Sequence, residues 1–371
     1  MINNYKKLII FMPSIEGGGV EKNLFIITNF LQSKLKKVSL ITVSKKYNSK
    51  FKKVKIYSPY FDFWDNCGRR IKYIVSLIIL LKILIKNKDV VVFAFQANLY
   101  CAFICKLFNI KIIIRSNSSP SGWSKNFLKK ILYKKFLTFS DVIIVNSEEF
   151  KKEFKKMFDA ESTCIYNPLN KQEVIRNSKK KIKFNFFKNT KKHIKIINVA
   201  RFTDQKDHLT LLKSLNLLKD KIKFKALIIG RGINKIQMDS FINENNLDKQ
   251  IKLINFQDNP YPFIAKSDLF ILSSRFEGLP NVLLEASSLK KAIISTNCPT
   301  GPKEILDNGK GGLLFKIGDH KDLSKKIIYY LNNKKIINKK ISHSFKMLDR
   351  FDYNKNLHKY LNLIRNELKK K

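Results

Sequence analysis

Short runs of β-branched and aromatic residues recur along this chain, with helical stretches between them. In the first half they fall at Lys7 to Pro13, Val38 to Val43, Val90 to Phe95, Lys111 to Ser116 and Val142 to Ser147. A second series falls at Ile194 to Ala200, Phe224 to Gly230, Ile251 to Phe256, Leu269 to Ser274, Ala292 to Asn297 and Gly312 to Phe315. The runs are continuously apolar rather than alternating, which predicts strands covered on both faces, and their alternation with helices predicts parallel sheets. Between the series, from Asn167 to Lys192, periodicity is lost and charge rises. The pattern predicts an α/β protein of two Rossmann-like, doubly wound domains: an N-terminal domain over 1–170, a linker over 171–192 and a C-terminal domain over 193–350. The last stretch, 351–371, is amphipathic enough to pack back on the N-terminal domain as a helix.

One predicted helix differs from the rest. Arg69 to Lys86 is apolar from Ile71 to Ile85, broken only by Lys72, Ser76 and Lys82 and the ring of Tyr73. It falls short of the ~20 apolar residues that a bilayer span requires. Two readings stand: a helix packed against the first sheet, or an interfacial helix dipping into lipid while Arg69, Arg70, Lys72, Lys82, Lys86 and Lys88 meet phosphates.

Composition narrows the function classes. The 371 residues suit two cores rather than one. With 73 Lys and Arg against 29 Asp and Glu the formal net charge is +44, a field that attracts polyanions or an anionic membrane surface. The lysines are dispersed along the whole length and do not interleave with aromatics on one face, so nucleic acid is not the expected partner. The five cysteines form no Cys-x-x-Cys pair, which points away from a zinc site or disulfide framework and towards a reducing, cytoplasmic setting. The amino terminus runs into a strand pattern with no signal-peptide regions. No Gly-x-Ser-x-Gly elbow and no clustered acids for a metal ion are present.

The most informative segment is Ser273-Ser-Arg-Phe-Glu277-Gly-Leu-Pro280-Asn-Val-Leu-Leu-Glu285-Ala-Ser287. It reads as strand, loop and helix, with Gly278 and Pro280 breaking the strand and Pro280 suited to the first helical position. Such a helix start attracts phosphate, and Glu277 and Glu285 on either side suit sugar hydroxyls. Arg201 and Lys206 leave the end of the strand 194–200, where open parallel sheets place ligands, and two cations there suit a diphosphate. Gly230-Arg231-Gly232 follows another strand. Near the start, Gly17-Gly18-Gly19 follows the first strand and admits close approach of a ligand to the backbone, but it is neither Gly-x-Gly-x-x-Gly nor a Walker loop. The segment Asn297 to Leu306 forms a stiff loop from which Thr300 and Gly301 can reach the same ligand. All five histidines lie in the second half, so the first domain offers no imidazole.

Together, Gly17 to Lys22, Arg201 with Lys206, and Glu277 to Ser287 resemble the retaining glycosyltransferases of family four, whose GT-B fold has two Rossmann-like domains facing a central cleft. The spacing of Glu277 and Glu285 matches that family's E-x7-E element. The resemblance implies a nucleotide diphosphate sugar, UDP-linked by family habit, bound as substrate with no cofactor and no metal. It assigns catalysis to Glu277, Arg201 and Lys206. Donor contacts fall to Gly17, Gly18, Gly19, Gly230, Gly278, Leu279, Pro280, Asn281, Val282 and Glu285, the last holding the ribose. Arg115, Asn117, Arg69 and Arg70 are candidates for the acceptor. Many members carry a first-domain histidine where Arg115-Ser-Asn117-Ser-Ser stands here, so the proton of the acceptor is expected to leave on the phosphate. The implied product is a glycan or polyprenyl-diphosphate-linked glycan of bacterial surface polysaccharide, made at the inner face of the cytoplasmic membrane. A non-transferase enzyme of the same fold, such as an epimerase, is the rival; the isolated E-x7-E spacing favours transfer.

Overall fold

A computed structural model describes residues 6–117, 119, 127–188, 190 and 192–369. The chain divides into two compact units, Met1–Pro168 with Tyr353–Lys371, and Leu169–Asp352. The stretch 171–192, expected as a linker, belongs to the second unit and opens with a helix, Lys171–Ser178. The side chain of Asn170 accepts from Glu173 N and starts that helix, a cap which the high local charge concealed. Positions 189 and 191 of that stretch, Ser118 of the 115–119 run, and 370 and 371 of the terminal helix lie outside the described residues.

The first unit holds a parallel sheet of seven strands: β1 (Lys7–Phe11), β2 (Val38–Ile41), β3 (Lys55–Tyr57), β4 (Val90–Ala94), β5 (Lys111–Arg115), β6 (Val142–Val145) and β7 (Thr163–Cys164), in the order β3-β2-β1-β4-β5-β6-β7. The two edge strands, β3 and β7, are too short and too exposed to show in the hydrophobic pattern. Alternate residues of β1 feed cores on opposite faces, Leu8 and Ile10 to one, Ile9 and Phe11 to the other. That is why its sequence is apolar throughout.

The helices that cover this sheet show how sequence sets each face. In Glu148–Phe158, the Ser147 hydroxyl accepts from Phe150 N and two glutamates occupy the positive first turn. Phe150, Phe154 and Phe158 then stack down one buried side at 5.7 and 5.1 Å between ring centres. Tyr353–Lys369 buries Leu357, Tyr360, Leu361, Ile364 and Leu368 in the core shared by Leu8 and Ile10. Arg115, at the end of β5, lies completely buried beneath it, with Nε donating to Tyr360 Oη at 2.9 Å and Nη2 to Asn167 Oδ1 at 2.6 Å.

The second unit holds six parallel strands: β8 (Ile194–Val199), β9 (Phe224–Gly230), β10 (Ile251–Asn255), β11 (Leu269–Leu272), β12 (Ala292–Thr296) and β13 (Leu313–Phe315), in the order β10-β9-β8-β11-β12-β13. β8 and β11 pair at Ile196 with Leu269 and Ile197 with Phe270. The buried Asn198 extends the junction, donating from Nδ2 to Ile271 O at 2.8 Å. Its Oδ1 lies 3.1 Å from His208 Nε2, which is therefore the protonated nitrogen of a neutral ring. Burial, and then the nearby Lys206, push the His208 pKa down to about 3.

Two stability predictions follow from these packed polar groups. Tyr360→Phe removes a hydrogen bond to a buried guanidinium and should lower the unfolding free energy by about 1.5–3 kcal/mol, read from urea denaturation. His208 gains a proton more readily unfolded than folded, so its contribution is complete above about pH 6.5 and is lost as pH falls towards its folded pKa of about 3. Relative to native protein, His208→Gln should flatten the decline of stability below about pH 6.5 by up to ~1.4 kcal/mol per pH unit. Parallel pH profiles for the two proteins would contradict the neutral, buried ring.

Candidate functional site

From β8 the chain winds outward through β9 and β10 and then returns to the other side of β8 as β11. Crossovers therefore diverge on the two sides of the β8–β11 pair, and a crevice opens at the carboxyl ends of those strands. Arg201 to Lys206 leave β8 at this edge, and Ser273 to Pro280 leave β11 beside them.

The two loops are tied together along their backbones. Arg275 N donates to Gln205 O at 2.8 Å, Gln205 Nε2 to Phe276 O at 2.9 Å, and Ser273 Oγ to Lys206 O at 2.9 Å. These bonds bring Lys206 Nζ to 2.5 Å from Glu277 Oε1, and Ser274 Oγ donates to the same oxygen at 2.6 Å. The Glu277 side chain is 7% exposed and that of Lys206 14% exposed, so the pair is largely dry while its edge still meets solvent. A buried pair of this kind is costly to break, about 3–5 kcal/mol, because the surviving charge is stranded. Arg201 is exposed at the same strand end.

A third loop, after β12, closes on Glu277. Glu277 N donates to Pro299 O at 2.7 Å and Thr300 Oγ1 to Gly278 O at 3.1 Å. Gly301 has a φ of +89°, and a Cβ there would fall 2.1 Å from Gly278 O, so glycine is required both by conformation and by space. The buried thiol of Cys298 is pushed up to about 12, first by burial and then by the charge of Glu277. It stays neutral at ordinary pH and packs rather than reacts.

The helix Asn281–Ser288 begins one residue after Pro280, which takes the cap position with φ −71° and ψ 105° instead of the expected first helical position. The extended ψ lets Pro280 turn the loop, while its carbonyl accepts from Leu283 N at 3.1 Å. Gly278 and Leu279 are buried, and Asn281 and Val282 are half-buried. Glu285 is buried on the first turns of this helix and accepts from Tyr261 Oη at 3.2 Å. Tyr261 opens a five-residue helix, Tyr261–Ala265, and no local pattern marks it. Ser274 and Gln205 were equally hidden, since their roles depend on which loops meet.

Gly230, expected at the donor, is required by packing as well. A Cβ on it would lie 1.9 Å from Ala200 O and 2.6 Å from the Phe202 ring, so close packing of the loops after β8 and β9 demands glycine whatever the ligand. Gly232 is held in the same way, a Cβ there falling 2.3 Å from Phe202 O.

In the first unit, the glycines follow β1, which neighbours β4 at that sheet's own reversal of strand order. Gly17 has a φ of +79°, Gly18 is extended, and Gly19 opens the helix Gly19–Lys34. Ser14 N donates to Gln96 Oε1 at 3.2 Å, tying the loops after β1 and β4. The loop is more acidic than its spacing suggests: a Cβ on Gly18 would meet Glu21 Oε2 at 3.0 Å, and Glu16 stands one residue before the glycines. Glu16 binds Arg69 through two bonds, Nε to Oε1 at 3.1 Å and Nη2 to Oε2 at 2.5 Å. Arg69, expected to meet an acceptor anion, is therefore already matched to a carboxylate, which also raises its pKa. Arg70 is exposed.

Arg115 corrects the reading more firmly. It is completely buried and bonded to Tyr360 and Asn167, so it organises the core and does not reach an acceptor. Asn117, two residues on, is half-buried, and its Nδ2 donates to Phe95 O at 2.9 Å and Arg115 O at 3.2 Å. Its Oδ1 is buried with no partner among the described residues.

Comparison with known proteins places this geometry. Residues 178–355 match the family of glycosyl transferases group 1. An uncharacterized glycosyltransferase of Methanocaldococcus jannaschii is 34% identical over 209 residues, spanning 53% of this chain and 51% of that protein. The N-acetylgalactosamine-N,N'-diacetylbacillosaminyl-diphospho-undecaprenol 4-alpha-N-acetylgalactosaminyltransferase of Campylobacter jejuni is 26% identical over 89% of this chain and 92% of its own length. Among solved structures, Anabaena HepE in complex with UDP and glucose superposes with a TM-score of 0.78 at 15% identity, covering 98% of this chain and 100% of that one, a likeness of fold. The chain thus has the GT-B fold, and in residues 178–355 it carries a group 1 glycosyltransferase domain.

Proposed function

We propose that the second unit binds a nucleoside diphosphate sugar, UDP-linked, and that the chain transfers its hexosyl or N-acetylhexosaminyl group with retention of configuration. The acceptor is a glycan or polyprenyl-diphosphate-linked glycan in bacterial surface polysaccharide synthesis. The observation that carries this reading is the meeting of Lys206 with Glu277 at the β8–β11 crevice, one loop ahead of the helix that bears Glu285. A cation, a hydroxyl-binding acid and a second acid on a helix suit diphosphate, sugar and ribose in turn.

In this reading Lys206 and Arg201 face the diphosphate, Glu277 accepts from hydroxyls of the sugar and Glu285 from those of the ribose. As the bond from the anomeric carbon to the phosphate oxygen breaks, negative charge grows on the diphosphate. Lys206, fixed in place by Glu277 and poorly solvated, stabilises that charge more than water would. The acceptor hydroxyl then bonds the anomeric carbon on the face the phosphate leaves, and its proton passes to the departing phosphate oxygen. His208 takes no part, because its ring is buried and neutral and its Nε2–H is held by Asn198. The complex of Anabaena HepE with UDP and glucose supports the donor class. The acceptor class is supported by the diphospho-undecaprenol in the name of the Campylobacter relative. Such an acceptor would hold the reaction at the cytoplasmic face of a membrane.

A thermal-shift panel of UDP, GDP and their common sugars should show a rise in Tm with UDP and at least one UDP-sugar. Glu285→Gln should weaken the UDP response about tenfold or more, corresponding to ~1.4 kcal/mol or more, while keeping the fold. A response to none of these nucleotides would remove the donor assignment. NMR of the product should show the anomeric configuration of the donor, at a rate unchanged by EDTA. An inverted product would discard the same-face mechanism, and loss of turnover in EDTA would discard metal independence.

A further inference from the structure

The helix Arg69–Lys86 packs an apolar side on the first sheet and leaves a second apolar strip facing outward among its exposed cations. Its outward side carries Ile71, Ile74, Ile78 and Ile85, which are 45–67% exposed, whereas Lys72 and Ser76 are buried. Lys72 is held inside by Asp65 and by Ser44, each at 3.4 Å from its Nζ. Leu80 and Leu84 are fully buried in the core beneath β4, and Leu77, Ile79, Leu81 and Ile83 pack partly buried against it. A sequence that keeps a lysine in and four isoleucines out has a second solvent for its outer face.

The apolar surface continues beyond this helix. The helix Asn98–Leu107 packs beside it and exposes Tyr100, Phe103 and Leu107 on successive turns. Phe103 in turn meets Phe136 of the next helix, Phe127–Leu137, at 5.8 Å between ring centres. Just before Arg69, Tyr60, Phe61 and Phe63 stand 89%, 62% and 55% exposed. Around these residues, Arg70, Lys82, Lys86, Lys88, Lys106 and Lys135 are exposed and make no ion pair among the described residues. Of the nearby acids, Asp62 pairs with Lys45, Asp65 with Lys72 and Glu16 with Arg69, while Asp89 stands exposed beside Lys88.

We infer that this face of the first unit docks on an anionic lipid bilayer, the isoleucines and aromatic rings entering the interface and the unpaired cations meeting lipid phosphates. Charge decides between lipid and a second copy of the chain. Two copies meeting through this face would bring like charges together in a protein of formal net charge +44, whereas an anionic leaflet neutralises them. No helix among the described residues is long and apolar enough to cross a membrane, so the contact lies in the interfacial plane. The inference stands apart from the donor chemistry of the second unit.

Flotation with vesicles of phosphatidylcholine mixed with phosphatidylglycerol tests it. The native chain should bind these vesicles, bind vesicles of phosphatidylcholine alone more weakly, and keep part of its binding at high salt because the apolar contacts are not screened. The double substitution Ile74→Glu with Ile78→Glu should lower partitioning about tenfold or more without changing Tm, both residues being exposed. Ile236→Glu, an exposed isoleucine of the second unit, should leave partitioning unchanged. Equal vesicle binding by native and doubly substituted chains would overturn the inference. So would an equal loss in Ile236→Glu, or a native dimer in light scattering that the double substitution converts to monomer.

Discussion

Taking an ammonium and a carboxylate out of water costs several kcal/mol per ion unless each finds the other, and Lys206 and Glu277 do so across the β8–β11 junction. The loops at the carboxyl edge of the second unit's sheet are arranged around that condition. The Gln205 and Ser273 bonds fix where the two loops run, Ser274 gives Glu277 Oε1 a further donor, and the loop after β12 holds its backbone through Pro299 and Thr300. The strand pairing comes first in the causal order. With Ile196 beside Leu269, the loops after the two strands end at the same level, and side chains far apart in sequence can then meet.

The sheet cores were legible because parallel strands covered on both faces must be apolar at every position. The edge strands β3 and β7 escaped notice because they carry no such demand. Glu277 and Glu285 stood out for a local reason: loop and helix start are contiguous in sequence, so their spacing survives folding. Tyr261, Gln205 and Ser274 did not, since each acts on a neighbour supplied by another crossover. Arg115 misled for the same reason in reverse. It sits at a strand end, the usual place for a ligand contact, but a helix from the far end of the chain covers it. Gly230 likewise has a glycine's freedom of approach, used by Ala200 and Phe202 from its own unit.

Two kinds of charge must therefore be separated in this lysine-rich chain. Lys72, Arg69, Lys206 and Arg115 are committed to internal partners that fix the backbone around them. The dispersed surface lysines carry most of the net charge, and their effect depends on what lies between them. On the helix Arg69–Lys86 and its neighbour it is exposed isoleucine, phenylalanine and tyrosine, which turns a solubilising charge into the rim of an apolar surface.

The burial of Tyr360 on Arg115 also bears on the order in which the protein is made. The first unit lacks Leu357, Tyr360, Leu361 and Ile364 until the final helix is synthesised, whereas the second unit, Leu169–Asp352, is complete before that helix exists. Domains emerge from the ribosome in chain order and fold as units once whole. Here the later-made unit can finish first, leaving the earlier one with an open face over β1 and β4 and Arg115 without its Tyr360 partner until the helix Tyr353–Lys369 arrives. Chains released without Tyr353–Lys369 should thus carry a folded second unit and a first unit whose core lacks one cover.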